Sequence, residues 1–245
     1  MTDTPLILEN VSLSFGTRLA LDELNLAFRR GITTVVIGTS GSGKSLALKT
    51  SAGLLFPDEG EAYFEGRKIA AMNETEYQLM QSRTGFHFQD AALWANKSLK
   101  ENLTLPLMAG KVNLSDREID ERVEAAFGSV NLDVDPESRP ASISMGQRKM
   151  VSFLRATITH PEILFLDEPS TFMDAGSIRQ LVSGIEAYKD EGRTILMATH
   201  DRRIGEKLAD EVVVLFHGRL VASGPYKEVL ASQDPALMAV LRDLT

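Results

Sequence analysis

The residues best suited to chemistry form one unbroken run: Gly38, Thr39, Ser40, Gly41, Ser42, Gly43, Lys44 and Ser45. The run fits G-x-x-x-x-G-K-[ST], a loop that grips phosphate. Its glycines let the backbone bend so that successive N–H groups converge on phosphate oxygens. A helix beginning near Lys44 adds the positive end of its dipole. Lys44 brings a mobile charge to the β- and γ-phosphates, and Ser45 offers a hydroxyl to Mg²⁺. Leu46 completes the expected nucleotide-contacting set. The loop predicts nucleotide binding, but by itself it does not separate a kinase, a GTPase and a transporter.

A second group stands at ILFLDEP (163–169), an apolar run ending in Asp167 and Glu168. In open α/β sheets, ligands bind beyond the carboxyl ends of the strands. There Asp167 would hold the Mg²⁺ shell. Glu168, one residue on, would polarise the attacking water as a general base. A strand ending in charges simply because it meets water is the bland alternative. The phosphate loop upstream argues against it.

These groups need a scaffold. TTVVI (33–37), between Gly31 and Gly38, has the continuous apolar character of a buried parallel strand, as do ILFL (163–166) and TILMA (194–198). Between the last two, Ile178, Leu181, Val182 and Ile185 share a helical face. Strand–helix–strand repetition implies a mainly parallel sheet with helices on both faces. The chain's start alternates at Val11, Leu13 and Phe15, then at Leu24, Leu26 and Phe28, which predicts an antiparallel β element. From about 90 to 160 the pattern is helical. Ser115 and Glu118 form a capping box there, and Ile119, Val123, Ala126, Phe127 and Val130 follow on one face. The expected fold is a single α/β domain over 1–245. Residues 1–89 and 161–245 would form the core with its antiparallel β element, and 90–160 an inserted α-helical subdomain.

Composition narrows the role. A net charge of −8 lowers the expectation of a nucleic-acid partner. With no cysteine, disulfides and thiolate metal sites are excluded, and His87, His160, His200 and His217 show no metal-ligand spacing. The first residues, MTDTPLILEN, do not read as a signal peptide. The longest apolar runs, such as VVVLF (212–216), fall far short of the roughly 20 residues needed to span a bilayer. A membrane role therefore calls for a partner.

Along nearly its whole length the chain resembles the nucleotide-binding subunits of ABC transporters, a P-loop NTPase group. Four further motifs follow in that family's order. Gln89, in GFHFQD, resembles the Q-loop glutamine, which implies contact with Mg²⁺ or the attacking water and a relay to a membrane subunit. Ile143-Ser144-Met145-Gly146-Gln147 resembles the signature motif, with methionine in place of its first glycine. Read physically, it is a helix start, with Ser144 as cap and Gln147 in the reciprocal position. The resemblance assigns Ser144 and Gly146 to the γ-phosphate of a second chain. Asp174, in Ser170-Thr171-Phe172-Met173-Asp174, resembles the D-loop aspartate, and His200 resembles the switch histidine that orients Glu168 or water. Phe15 takes the place of the adenine-stacking aromatic, yet it could equally continue an apolar strand face.

The resemblance implies ATP and Mg²⁺ as ligands, with Lys44, Gln89, Glu168 and His200 catalytic and Ser45, Gln89 and Asp167 around the metal. It implies a head-to-tail homodimer closed over two ATP molecules. It also implies a transmembrane permease that would hold the chain on the cytoplasmic face of the cell membrane. Finer likeness points to the Mla/Mce-type lipid-transport ATPases, and so to a lipid-binding Mce-type subunit. Ala91-Ala92-Leu93-Trp94 and Glu101-Asn102-Leu103…Pro106-Leu107 carry it, with the tail 232–244. Amino-acid or lipoprotein transport is the alternative. A soluble ABC ATPase of DNA repair or translation is the alternative of another class, although the chain has neither a long coiled-coil insertion nor two fused nucleotide domains. Trp94 would either receive a permease helix or be buried among the helices.

Overall fold

The computed structural model describes residues 2–109, 114–130 and 132–242. In chain order it runs through β1 (Leu6–Phe15), β2 (Arg18–Phe28), β3 (Thr33–Ile37), α1 (Lys44–Ser51), β4 (Glu59–Phe64) and β5 (Arg67–Lys68). Next come α2 (Glu74–Ser82), β6 (Thr84–His87), α3 (Leu99–Ala109), α4 (Asp116–Ser129), α5 (Met145–Thr157) and β7 (Ile163–Asp167). The chain continues with α6 (Ala175–Asp190), β8 (Thr194–Ala198), α7 (Arg202–Leu208), β9 (Glu211–Phe216), β10 (Arg219–Pro225), α8 (Tyr226–Leu230) and α9 (Pro235–Arg242). The expected tail helix is therefore present as α9, while residues 243 and 244 of that stretch lie outside the described residues.

The strands form two sheets. One is antiparallel, in the order β2-β1-β4-β5; the other has six strands, in the order β10-β9-β3-β8-β7-β6. In the second, β9, β3, β8, β7 and β6 run parallel and β10 joins antiparallel at the edge.

The parallel strands are buried on both faces, which is why they read as continuous apolar runs. Their side chains still alternate. Ile163 and Phe165 of β7 pack with Val36, α1 and the antiparallel sheet, while Leu164 and Leu166 face the helices. Burying such a Leu, Ile or Phe stabilises the fold by about 1.5–3 kcal/mol. The helices of the 90–160 stretch do not form a separate core. Leu99, Leu103, Ile119, Val123 and Phe127 belong to the same cluster as Leu164 and Leu166.

Helix α4 starts at the anticipated capping box, with Ser115 and Glu118 satisfying each other's backbone N–H. Helix α3 contains Pro106, which cannot donate to the carbonyl of Asn102. The buried Asn102 side chain instead takes up the preceding loop. Its Oδ1 accepts from Trp94 N–H at 2.8 Å, and its Nδ2 donates to the Ser98 carbonyl at 2.8 Å.

Candidate nucleotide site

Strand β3 ends at Ile37, and the loop 38–43 turns the chain into α1. Two glycines are required there. A Cβ on Gly38 would strike the Leu215 carbonyl and the Ser42 hydroxyl. Gly43 has φ +100°, and a Cβ on it would come within 2.7 Å of the Leu21 side chain. Gly43 is also the N-cap of α1, and no side chain caps that helix. By contrast, α2, α4, α5, α6 and α7 are all capped by Asn, Ser or Asp. The first N–H groups of α1 are thus left for an anion. Ser42 Oγ, buried in the loop, also has no hydrogen-bond partner.

The loop forms one side of a cleft of about 800 Å³ lined by Phe15, residues 38–46, Gln89, Glu168 and His200, with Arg18, Ala20 and Thr171. Lys44 is buried, and its ammonium donates to the carbonyls of Gly38 at 2.8 Å and Thr39 at 3.1 Å. Burial pushes its pKa below the ordinary lysine value, against the pull of Glu168 and Asp167. Incoming phosphate would restore a full charge partner to it.

At the end of β7, the Ser45 hydroxyl donates to Asp167 Oδ1 at 2.6 Å. Burial pushes the Asp167 carboxyl up, opposed chiefly by that hydrogen bond and by Lys49. These two oxygen donors meet the need of a hard divalent ion for oxygen ligands. Among the described residues no three His, Asp or Glu gather as a metal cluster. A Mg²⁺ here would take its remaining ligands from phosphate and water, as that ion commonly does.

Glu168 lies one residue on, nearly buried, with its backbone in the left-handed region at φ +45°. Its N–H donates to the Ala198 carbonyl of β8 at 2.9 Å. Its side chain Oε2 lies 2.8 Å from His200 Nδ1. A carboxylate only accepts, so Nδ1 is the protonated nitrogen in this pair. Among the described residues no hydrogen bond engages Oε1.

Phe15 is 55% exposed and lines the cleft, so it does not extend the buried strand face. Ser144, Gly146, Gln147 and Asp174 are not among the cleft's lining residues. Ser144 caps α5 in a reciprocal box with Gln147. Asp174 caps α6 through the N–H groups of Gly176 and Ser177. These two helix starts adjoin: a Cβ on Gly146 would lie 3.9 Å from Asp174 Oδ2. Trp94 is 59% exposed, which removes the reading that buried it among the helices.

Several residues at the site were missed from sequence. Arg18 donates to the Gly41 carbonyl at 3.3 Å, and Thr171 lines the cleft with an unpartnered hydroxyl. Lys149, wholly buried in α5, donates to the Glu168 carbonyl at 2.7 Å. Its spacing of four from the buried Phe153 was the available signal.

A parallel sheet with a phosphate loop after one strand and a carboxylate pair ending another defines a P-loop nucleotide-binding protein. Comparison with known proteins narrows this. The ABC transporter family model matches residues 21–171. A methionine import ATP-binding protein of Mesorhizobium japonicum is 34% identical over 225 residues, which is 90% of this chain and 60% of that protein. Its counterpart in Rhizobium johnstonii is 34% identical over 96% of this chain and 64% of its own length. A probable sulfate/thiosulfate import ATP-binding protein of Chlorella vulgaris is 33% identical over 91% of this chain and 92% of its own. Among solved structures, a dimeric ATP-binding cassette in a post-hydrolysis state with ADP and Pi superposes with a TM-score of 0.83 at 25% identity. It covers 90% of this chain and 98% of its own. The chain belongs to the ABC transporter family. It spans only 60–64% of the length of the two methionine-import relatives above.

Proposed function

We propose that this chain binds MgATP in the cleft beside Lys44, hydrolyses it with Glu168 as general base, and energises a separate transmembrane permease of an importer. The convergence of Lys44, Gln89, Glu168 and His200 on one cleft carries this reading.

Lys44 and the uncapped start of α1 hold the phosphates from one side. Ser45 and Asp167 would hold Mg²⁺, with Gln89 beside it; the ion supplies charge neutralisation at the phosphate oxygens. His200 fixes Oε2 of Glu168, so Oε1 is presented to water and takes its proton. Phe15, exposed on the cleft wall, offers its ring to the base.

Ser144 and Gly146 lie outside the cleft of their own chain. Their part in gripping phosphate therefore requires a second copy, closed head-to-tail so that the start of α5 faces the partner's ATP. A dimeric solved cassette with ADP and Pi supports that arrangement.

Among the described residues no helix is long and apolar enough to cross a membrane. A permease would therefore anchor the chain at the cytoplasmic face. Trp94 and Met108, 59% and 68% exposed, suit that contact, and Asn102 pins the Trp94 backbone. The relatives named for methionine and sulfate import favour a small polar solute, with an amino acid first. The lipid reading of 88–107 and the Mce-type subunit draw no support from them.

Glu168→Gln tests the core of the proposal. It should retain ATP, accumulate as a dimer, and hydrolyse on the order of 10²-fold more slowly or worse. Wild-type turnover would reject Glu168 as the base. For the solute, the copurified permease complex should raise its ATPase rate with amino acids. A response to phospholipid alone would restore the lipid reading.

A further inference from the structure

Lys149 is an expensive residue to keep where it is. It is fully buried in α5, and ammonium groups are rarely buried without a carboxylate bonded to them. The hydrogen bond its Nζ makes runs to a neutral acceptor, the backbone carbonyl of Glu168, at 2.7 Å. Burial pushes its pKa down to about 8, while Asp167, Glu168 and Asp90 pull it back up. An apolar side chain of similar length would fill the space without that penalty. Packing alone does not explain the charge.

What the charge touches does explain it. Glu168 is a non-glycine residue at φ +45°, a conformation that persists only where the surroundings enforce it. Its N–H is held by Ala198 at 2.9 Å, whereas the backbone donor reaching its carbonyl, Thr171 N–H, is distant at 3.4 Å. The strong grip on that carbonyl comes from Lys149. The Ala198 carbonyl on one side of the Cα and Lys149 on the other hold the residue at φ +45°, the backbone geometry from which its side chain meets His200.

We propose that Lys149 is a positioning residue for hydrolysis, holding the Glu168 carbonyl so that the carboxylate stays aimed at the cleft. The proposal rests on Glu168 being the base. It concerns hydrolysis and not nucleotide affinity, because Lys149 does not line the cleft.

The test uses the full chain with MgATP. Lys149→Met and Lys149→Gln are each measured for kcat, KM and equilibrium ATP affinity, alone and combined with Glu168→Gln. Lys149→Met should lower kcat by about tenfold or more while KM and affinity stay within about twofold. Lys149→Gln, which keeps an N–H donor, should recover part of the rate. In the Glu168→Gln background, Lys149→Met should add no further loss, since a residue acting through another cannot add to its removal. Wild-type kcat in Lys149→Met would overturn the proposal. So would equal loss of folding or nucleotide affinity in both substitutions, which would make Lys149 part of the scaffold. If Glu168→Gln alone turned over normally, the assignment of the base would fail, independently of what Lys149 does.

Discussion

His87 closes β6, two residues before Gln89, and is wholly inaccessible to solvent. Among the described residues neither ring nitrogen makes a well-formed hydrogen bond, the Ser152 backbone being only a weak partner. Burial, then the charges of Lys149 and Arg155, push its pKa from 6.5 down to about 3, with the Ser152 backbone opposing weakly. The imidazole is therefore neutral in the folded state. Between pH 6.5 and 3 the unfolded chain takes up a proton that the folded chain refuses. Stability thus falls as pH drops through that window and levels off below it. The slope starts at half its limit at pH 6.5 and approaches about 1.4 kcal/mol per pH unit below it, so lowering the pH from 6.5 to about 4.5 should cost about 2 kcal/mol from this residue. His87→Val suits a buried strand and removes the titration. Urea unfolding of both proteins at several pH values isolates the difference. Asp167, whose raised pKa acts in the opposite direction, is present in both and cancels. The variant should lose about 2 kcal/mol less than the parent over that interval. Parallel pH dependence in the two proteins would show that His87 titrates normally, and the burial argument would fail.

Two other outcomes follow from the site. Lys44→Ala should weaken MgATP binding roughly 10- to 100-fold, the worth of a charge-assisted bond to phosphate. Among the described residues its hydrogen bonds go to the carbonyls of Gly38 and Thr39, both in the loop itself, so the fold should survive. Unchanged affinity by equilibrium titration would remove the loop from the phosphate site. Trp94→Ala should leave ATP affinity intact, because Trp94 does not line the cleft, yet weaken retention of the permease on copurification by roughly 30-fold. Full retention would take Trp94 out of that contact.

The sheet was legible because its strands are buried on both faces. TTVVI, ILFL and TILMA have no polar face to blur the pattern, and each proved to be a parallel strand. β4 was not legible. Its sequence EGEAYF buries only Ala62 and Phe64, too little to separate it from a loop. Capping boxes at Ser115 and Ser144 were readable because they are local: cap and partner lie three residues apart. Phe15 and Trp94 could not be decided, since an apolar side chain looks the same in sequence whether it faces a core or a ligand. Lys149 was overlooked for the reverse reason. A lysine in a helix reads as a solvated charge, and its spacing from Phe153 hinted at burial without showing that it meets the Glu168 carbonyl. The strain at Glu168 left no trace either, because only glycine advertises a left-handed backbone.

That strain gives the site its logic. The phosphate grip needs only local features: a loop, a helix start and one lysine. The carboxylate proposed to activate water needs a fixed direction as well. Its position is set by β7 through the chain, by β8 through Ala198, by His200 through Oε2 and by α5 through Lys149. Helix α5 also begins at Ser144, the point that a second copy would bring to its partner's ATP. In the proposed dimer one rigid helix of 13 residues thus meets the partner's nucleotide at its start and steadies its own chain's base from its second turn. Closure over one ATP and alignment of the base at the other then share an element. Coupling of that kind is reciprocal: whatever favours closure at one site favours alignment at the other by the same free energy. Hydrolysis would be slow in a lone chain even with its cleft filled and Lys149 on the Glu168 carbonyl, because its ATP would lack the start of a partner's α5.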